Sequence, residues 1–327
     1  MKHYRGVFVV ILALTLFGMT WCAESPAASY PQKGKAVMVI VPFGAGGATD
    51  IQARILCPYL EKDLGTPFEV VNKPEAGSQV GLTNLAKARP DGYTIGYVLA
   101  TTATSIYLDP ERKAVFNRKS FQPIALHGAD PQVIAVRAES PYKSVKDLVE
   151  AANGNPGKVK ATAGAVLGDS HLAILLMQKI ANVKFSIVNI TQGGAALITS
   201  ILGGHTDFAV NSVGNFTAQV KAGELRIIGL FDTQENAYLP GIKTVEAQGY
   251  KVIMVTSKGI VGPAGTPKEV VDVLSRAIKK AMENEDVKKK HAEMWMTQRY
   301  LDAEQYAAMW EKLEADFKPL MEEARKR

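Results

Sequence analysis

"AVMVIVPFGAGGATDIQARIL", residues 36–56, joins an apolar run to a glycine-rich turn and then to an amphipathic segment. The run at 36–43 is typical of a buried strand, and the apolar spacing from Ala48 to Leu64 predicts a helix. This order places the free N–H groups of a helix N-terminus beside the end of a strand, which suits a bound anion. A tight turn that binds nothing needs the same glycines. The stretch alone therefore leaves both interpretations open.

The turn lacks the residues that nucleotide-binding loops require. In a G-x-G-x-x-G fingerprint the third glycine would stand where Thr49 stands, and Asn72 occupies the usual place of the ribose-binding acid. A phosphate-binding P-loop needs Gly-Lys-Ser/Thr, but no lysine occurs between Lys35 and Lys62. The anion that still fits the turn is a small one such as a carboxylate.

Short apolar runs alternate with amphipathic segments through most of the chain, which predicts an α/β fold with a mostly parallel sheet. Two C-terminal helices are predicted to begin with capping boxes, formed by Thr266 with Glu269 and by Asp302 with Gln305. These helices are predicted to pack on the first block of the chain, the part before about Phe121. The other predicted elements are strands at 68–71, 93–100, 132–138, 159–164, 185–190 and 206–212, and helices at 78–88, 144–152, 170–181 and 195–204.

Two more glycine-bearing loops follow predicted strands and precede predicted helices, "ATAGAVLGDSHLA" at 161–173 and "TQGGAAL" at 191–197. The carboxyl ends of parallel strands share one sheet edge, where ligands bind in open α/β folds. Three loops of this kind predict a cleft. The "DSH" at 169–171 lacks the G-x-S-x-G context of a nucleophile, so Asp169 or Ser170 is predicted to cap the helix instead.

Composition excludes several classes of protein. The 327 residues, 47% of them hydrophobic, suffice for two domains, and the net charge of +6 is spread along the chain without a nucleic-acid-reading motif. The five histidines have no metal-ligand spacing, and no cysteine cluster occurs. The sequence therefore predicts no nucleic-acid partner, no metal, no cofactor and no enzyme activity.

Residues 1–28 have the layout of a secretory signal peptide, with a basic start and an apolar stretch from Val7 to about Met19. Trp21 stands before Cys22 where a lipoprotein signal needs a small residue, which argues against a lipid anchor. Cleavage would leave Cys57 as the one cysteine, predicted to be buried on a helix. The mature protein is expected to be periplasmic.

Six stretches occur in an order that resembles the Bug/tricarboxylate-type extracytoplasmic solute-binding proteins, the receptors of tripartite tricarboxylate transporters. They are "VIVPFGAGGATDIQARIL", "EVVNKPEAGSQVGLTNLAKARPDGYTIG", "GDSHLA", "QGGAALITSILGGHTDFAV", "LPGIKTVEAQGY" and "GIVGPAGTPKEVVDVL". The resemblance implies a type II periplasmic-binding-protein fold, in which crossing strands join two α/β lobes around a central cleft. Lobe 1 would comprise 29–120 and 235–327, and lobe 2 would comprise 121–234.

The same resemblance implies a monomeric receptor that captures a small organic carboxylate and delivers it to integral-membrane permease subunits. A sensor module that feeds a signalling system is the alternative. Three departures from the family pattern are Glu75 for a common glycine, Ala196 for a common proline, and Asn211 where many members have an acid or a serine. The ligand contacts that the resemblance implies are Phe43, Gly46, Gly47, Thr49, Asp50, Thr101, Thr102, Thr162, Gly164, Gly168, Ser170, His171, Gly193, Ala195 and Asn211.

Overall fold

A computed structural model describes residues 30–191 and 193–325. The strands are β1 (Val37–Val41), β2 (Phe68–Asn72), β3 (Thr94–Leu99), β4 (Phe121–Arg137), β5 (Lys160–Ala163), β6 (Ser186–Asn189), β7 (Phe208–Ser212), β8 (Leu225–Leu230), β9 (Val255–Pro263) and β10 (Gln298–Leu301). The helices are α1 (Ala48–Leu64), α2 (Gln79–Ala86), α3 (Ala100–Leu108), α4 (Val145–Gly154), α5 (Asp169–Ala181), α6 (Gly194–Leu202), α7 (Thr217–Lys221), α8 (Lys268–Glu283), α9 (Glu285–Glu293) and α10 (Ala303–Arg325).

The predicted alternation of strands and helices is confirmed, and most predicted elements end within two residues of the observed ones. The local pattern did not predict α3, α7, β8, β9 or β10. The prediction of a mostly parallel sheet was wrong, because β4 pairs antiparallel with β7, β8, β9 and β10, and β3 pairs antiparallel with β9. The predicted signal peptide and the anchor question at Cys22 lie outside the described residues. Within the described ranges, no helix combines the length and apolarity that a membrane crossing requires.

The sheet is organised around β4, which is 17 residues long. Its first part, Phe121–Pro131, pairs antiparallel with β9, and its second part, 132–137, pairs with β7 and β8. We call β1, β2, β3, β9 and the first part of β4 the first half-sheet, and β5 to β8 with the second part of β4 the second half-sheet. The strand order is β2-β1-β3-β9-β4-β7-β5-β6, with β8 and β10 also paired to β4. The lobe limits proposed from the sequence stay a prediction.

Helix α10 packs against both half-sheets. Tyr306 and Trp310 lie fully buried in a core with Phe121, and the Trp310 indole stacks on the Phe121 ring at 5.9 Å. Further along the helix, Phe317 and Met321 join the core of the second half-sheet. These aromatic and methionine side chains are therefore core contacts.

The two predicted capping boxes have different outcomes. The Gln305 N–H donates to Asp302 Oδ1 at 2.9 Å and the Asp302 N–H to Gln305 Oε1 at 3.2 Å, so the box before α10 is confirmed. The prediction of a capping box at Thr266 was wrong. Its hydroxyl donates instead to the Pro263 carbonyl at 2.7 Å, because it closes the turn that leaves β9.

Cys57 lies buried on α1, as predicted, and burial raises the pKa of its thiol to about 12. Because the thiolate is the reactive form, alkylation by iodoacetamide at pH 8 should be at least about a hundredfold slower in the folded than in the urea-unfolded protein. A Cys22→Ser background isolates this thiol. Equal alkylation rates in the two states, followed by mass spectrometry, would contradict the burial.

Candidate ligand-binding site

The glycine-rich loop at 42–47 connects β1 to the N-terminus of α1. Gly46 has φ +75°, a backbone conformation that other residues rarely adopt, and this turns its N–H toward Asp50. The first N–H groups of any α-helix lack acceptors within the helix. No side chain of the loop itself caps α1. The loop therefore presents donor groups of α1 to the space between the two half-sheets.

The Asp50 carboxylate stabilises the conformation of this loop. Its Oδ2 accepts a bond from the Gly46 N–H at 2.9 Å, and its carboxylate also contacts Arg54 Nε at 3.0 Å and Asn72 Nδ2 at 2.9 Å. Burial raises the pKa of Asp50, but the bonds from Arg54, Gly46 and Asn72 outweigh it and leave the pKa below its usual value. Asn72, found where a nucleotide-binding fold places an acid, thus orients Asp50.

The other two glycine-bearing loops bring α5 and α6 to the same space. The N-cap of α5 is Gly168, and the N-cap of α6 is Gly193. The predicted capping role of Asp169 or Ser170 was wrong. Asp169 is the first residue of α5, and the Ser170 hydroxyl accepts a bond from the Gly164 N–H at 2.8 Å because the preceding loop folds back over it. Three helix N-termini therefore face one cavity.

This cavity has a volume of about 120 Å³ and is mostly lined by small and polar residues. It brings together these predicted contacts: Phe43, Gly47, Thr49, Thr102, Gly164, Gly168, Ser170, Gly193 and Asn211. The other predicted contacts, Gly46, Asp50, Thr101, Thr162, His171 and Ala195, do not line it.

Two of the residues that do not line the cavity have hydrogen-bond partners that explain their positions. The Thr162 hydroxyl pairs with the Thr206 hydroxyl at 2.6 Å in the core of the second half-sheet. His171 Nδ1 accepts the Leu167 N–H at 2.8 Å, and burial lowers its pKa. Thr162 therefore stabilises β5, and His171 stabilises the loop before α5, so neither forms part of the cavity surface. Glu75, the departure from the family pattern, is exposed and outside the lining.

Asn215 connects the two sides of the cavity, and no local sequence pattern distinguishes it from other asparagines. Its Oδ1 accepts the Ala48 N–H at 3.0 Å, so it caps α1 from the opposite side. Its Nδ2 donates to Asn211 Oδ1 at 2.9 Å, which fixes the orientation of the amide. A Cβ atom on Gly194 would lie 2.5 Å from Asn215 Oδ1. The glycine is therefore required by this close approach.

A buried ion pair lies where β4 passes between the half-sheets. Lys258 of β9 contacts Asp130 of β4, and both side chains are at most 1% exposed. Asp130 also accepts the Thr297 N–H at 2.7 Å and the Ser212 hydroxyl at 3.4 Å. Lys258 lines the cavity with Gln132, whose amide donates to Thr256. A lysine inside the apolar run 252–263 was the sequence signal for this pair.

Asp169 is the second charged side chain of the cavity lining. It is 5% exposed, and its Oδ1 accepts a bond from the Thr102 hydroxyl at 3.4 Å across the cavity. Burial raises the pKa of this carboxyl to about 6, and the hydroxyls of Thr256, Thr102 and Thr101 offset that only in part. Its Oδ2 has no hydrogen-bond partner among the described residues.

Comparisons with known proteins agree on one family. A family model described as the tripartite tricarboxylate transporter family receptor matches residues 52–325. A UPF0065 protein from the tcbD–tcbE intergenic region of Pseudomonas sp. (strain P51) is 32% identical over 254 residues, 76% of this chain and 74% of that protein.

Solved structures show the same fold. Periplasmic binding protein BugD superposes with a TM-score of 0.82 at 26% identity, covering 90% of this chain and 98% of that one. MatC from Rhodopseudomonas palustris, solved with bound malate, superposes with a TM-score of 0.80 at 21% identity, covering 88% and 98%. The mixed α/β architecture is thus that of the periplasmic binding proteins, which are solute-binding receptors and not enzymes. The chain belongs to the receptor family of the tripartite tricarboxylate transporters.

Proposed function

We propose that the protein captures a small organic carboxylate in the cavity between the half-sheets. The observation that carries this is the convergence of the N-termini of α1, α5 and α6 on one cavity. Each N-terminus offers the positive end of a helix dipole and N–H groups that lack acceptors within the helix, and a carboxylate is a small anion that accepts several such bonds. The malate bound by MatC, a protein of the same fold, supports this ligand class.

The ligand contacts in this proposal are the N–H groups and small polar side chains that line the cavity. They come from both sides of it, Gly47 and Thr49 from one and Gly168, Ser170 and Gly193 from the other. Binding to both sides favours a closed arrangement of the lobes. The bond from Ala48 to Asn215 spans the same gap and supports such a closure.

Export by the signal peptide at 1–28 and delivery of the ligand to integral-membrane permease subunits, as a monomer, complete the proposal. Membership of a transporter-receptor family supports it. The alternative is a sensor module that feeds a signalling system. Deletion of the permease subunits should abolish uptake of the bound carboxylate, whereas a sensor would leave uptake intact and change only gene expression.

The binding step is tested by a thermal-shift screen against mono-, di- and tricarboxylates, amino acids, aromatic acids and non-acidic metabolites. A ligand at a hundredfold excess over its Kd adds about 2.7 kcal/mol to the free energy of unfolding. We therefore expect at least one carboxylate to raise the Tm by several degrees. A shift produced only by non-acidic metabolites would overturn the proposal.

Gly194→Val tests the place of binding. The added side chain collides with Asn215 at the cavity wall, so the ligand-induced Tm shift should disappear. Ala196→Val is the matched control, because it adds a similar side chain to the same helix outside the cavity lining. Equal ligand-induced shifts in the two variants would place the ligand elsewhere.

A further inference from the structure

The charges that line the cavity are not balanced. Of the described residues in the lining, the charged ones are Lys258 and Asp169. Lys258 contacts Asp130, so its positive charge is already neutralised. Among the residues that the structure describes, Asp169 has no cationic hydrogen-bond partner. Because the Lys258–Asp130 pair is neutral as a whole, the Asp169 carboxylate is the uncompensated charge of the described lining.

Asp169 also has unused capacity for hydrogen bonding. A carboxylate can accept about four hydrogen bonds, but here its side-chain donors are the neutral hydroxyls of Thr256, Thr102 and Thr101. The Thr102 bond is long at 3.4 Å, and Oδ2 has no hydrogen-bond partner among the described residues. Leaving a buried charged group incompletely bonded is costly. Its burial raises the pKa of the carboxyl to about 6, so at neutral pH most of it is ionised.

A ligand with several carboxylates fits this arrangement badly. One carboxylate can be held by the helix N-termini, but a second would meet Asp169 in a low-dielectric site, where like charges repel strongly. A protonated amine has the opposite effect, because it donates up to three hydrogen bonds and carries the charge that Asp169 lacks.

We propose that Asp169 determines the specificity of the cavity by accepting a hydrogen bond from a protonated amine, so that the ligand is a zwitterionic aminocarboxylate rather than a di- or tricarboxylate. This rests on the proposed function and adds the ligand class. The N-termini of α1 and α6 hold the carboxylate, and Asp169 at the start of α5 holds the amine.

Isothermal titration with two series of probes tests this. Alanine, 3-aminopropionate and 4-aminobutyrate vary the distance between amine and carboxylate, and malonate, succinate and glutarate replace the amine by a second carboxylate. At pH 7.5 the tightest aminocarboxylate should bind the wild-type protein at least about tenfold more tightly than any of the dicarboxylates.

Asp169→Asn should abolish that preference, because it removes the charge and keeps the shape. We expect the aminocarboxylate Kd to rise at least about tenfold and the dicarboxylate Kd to fall or stay unchanged. Glu75→Gln is the control, since it removes one exposed carboxylate outside the lining and should change neither. The melting temperature of each variant verifies that it is folded.

The outcomes separate this inference from the proposed function. A dicarboxylate that binds more tightly than every aminocarboxylate, or a preference that Asp169→Asn leaves intact, overturns the role of Asp169 and leaves a carboxylate receptor. Binding by neither series overturns the role of Asp169. If no carboxylate in the wider thermal-shift screen binds either, the proposed function falls with it.

Discussion

Lys258→Met should lower the free energy of unfolding by about 3–5 kcal/mol, because it leaves the Asp130 carboxylate buried without its cation. Asp130 is fully buried at the point where β4 passes from one half-sheet to the other. Its remaining partners, the Thr297 N–H and the Ser212 hydroxyl, are neutral and cannot replace an ammonium. Urea unfolding of the variant and the wild type, followed by circular dichroism at pH 7.5, measures the difference.

Two further variants show whether the cost arises from the unpaired charge. Asp130→Asn combined with Lys258→Met removes both charges, and it should recover much of the lost stability because the buried carboxylate is gone. Lys280→Met breaks an ion pair with Asp63 whose lysine is 73% exposed, so it should change stability little. A Lys258→Met variant no less stable than Lys280→Met would contradict the account.

The local order of the site could be predicted from the sequence because its signals are local. The loop at 42–47 and the loops before α5 and α6 each combine an apolar run, glycines and an amphipathic segment within about fifteen residues. A general property of parallel sheets then brings the ends of their strands to one edge. The three helix N-termini do meet at one cavity, but they follow strands of two half-sheets and not of one parallel sheet. The two-lobed fold itself came from the family resemblance and not from periodicity.

The charges of the cavity could not be predicted in the same way. Lys258 and Asp130 lie 128 residues apart and meet only because β9 and β4 pair antiparallel, which no local pattern specifies. Asn215 reaches Ala48 across 167 residues. Asp169 was assigned to a cap because aspartate is common at helix starts. The structure places Gly168 at that position, which turns Asp169 toward Thr102.

The buried carboxyl of Asp169 should also make the protein less stable as the pH rises. Its pKa is about 6 in the folded protein against a usual 3.8, so between these values the folded state binds more protons than the unfolded state. The contribution of this group to the free energy of unfolding is therefore complete below pH 3.8 and is lost as the pH rises through 6. The difference in pKa corresponds to a loss of about 3 kcal/mol at pH 8 and about half of that at pH 5.

Asp169→Asn removes this titration, so the variant should be more stable than the wild type by about 3 kcal/mol at pH 8 and by about half as much at pH 5. Urea unfolding at the two pH values measures both gains, and Glu75→Gln, which removes an exposed carboxylate outside the lining, should change stability little. A gain that is equal at pH 5 and pH 8 would mean that packing, not the charge, is responsible. A stabilising substitution that impairs binding is expected where a site retains a costly charge for its ligand, so this gain and the loss of amine preference should occur in the same variant.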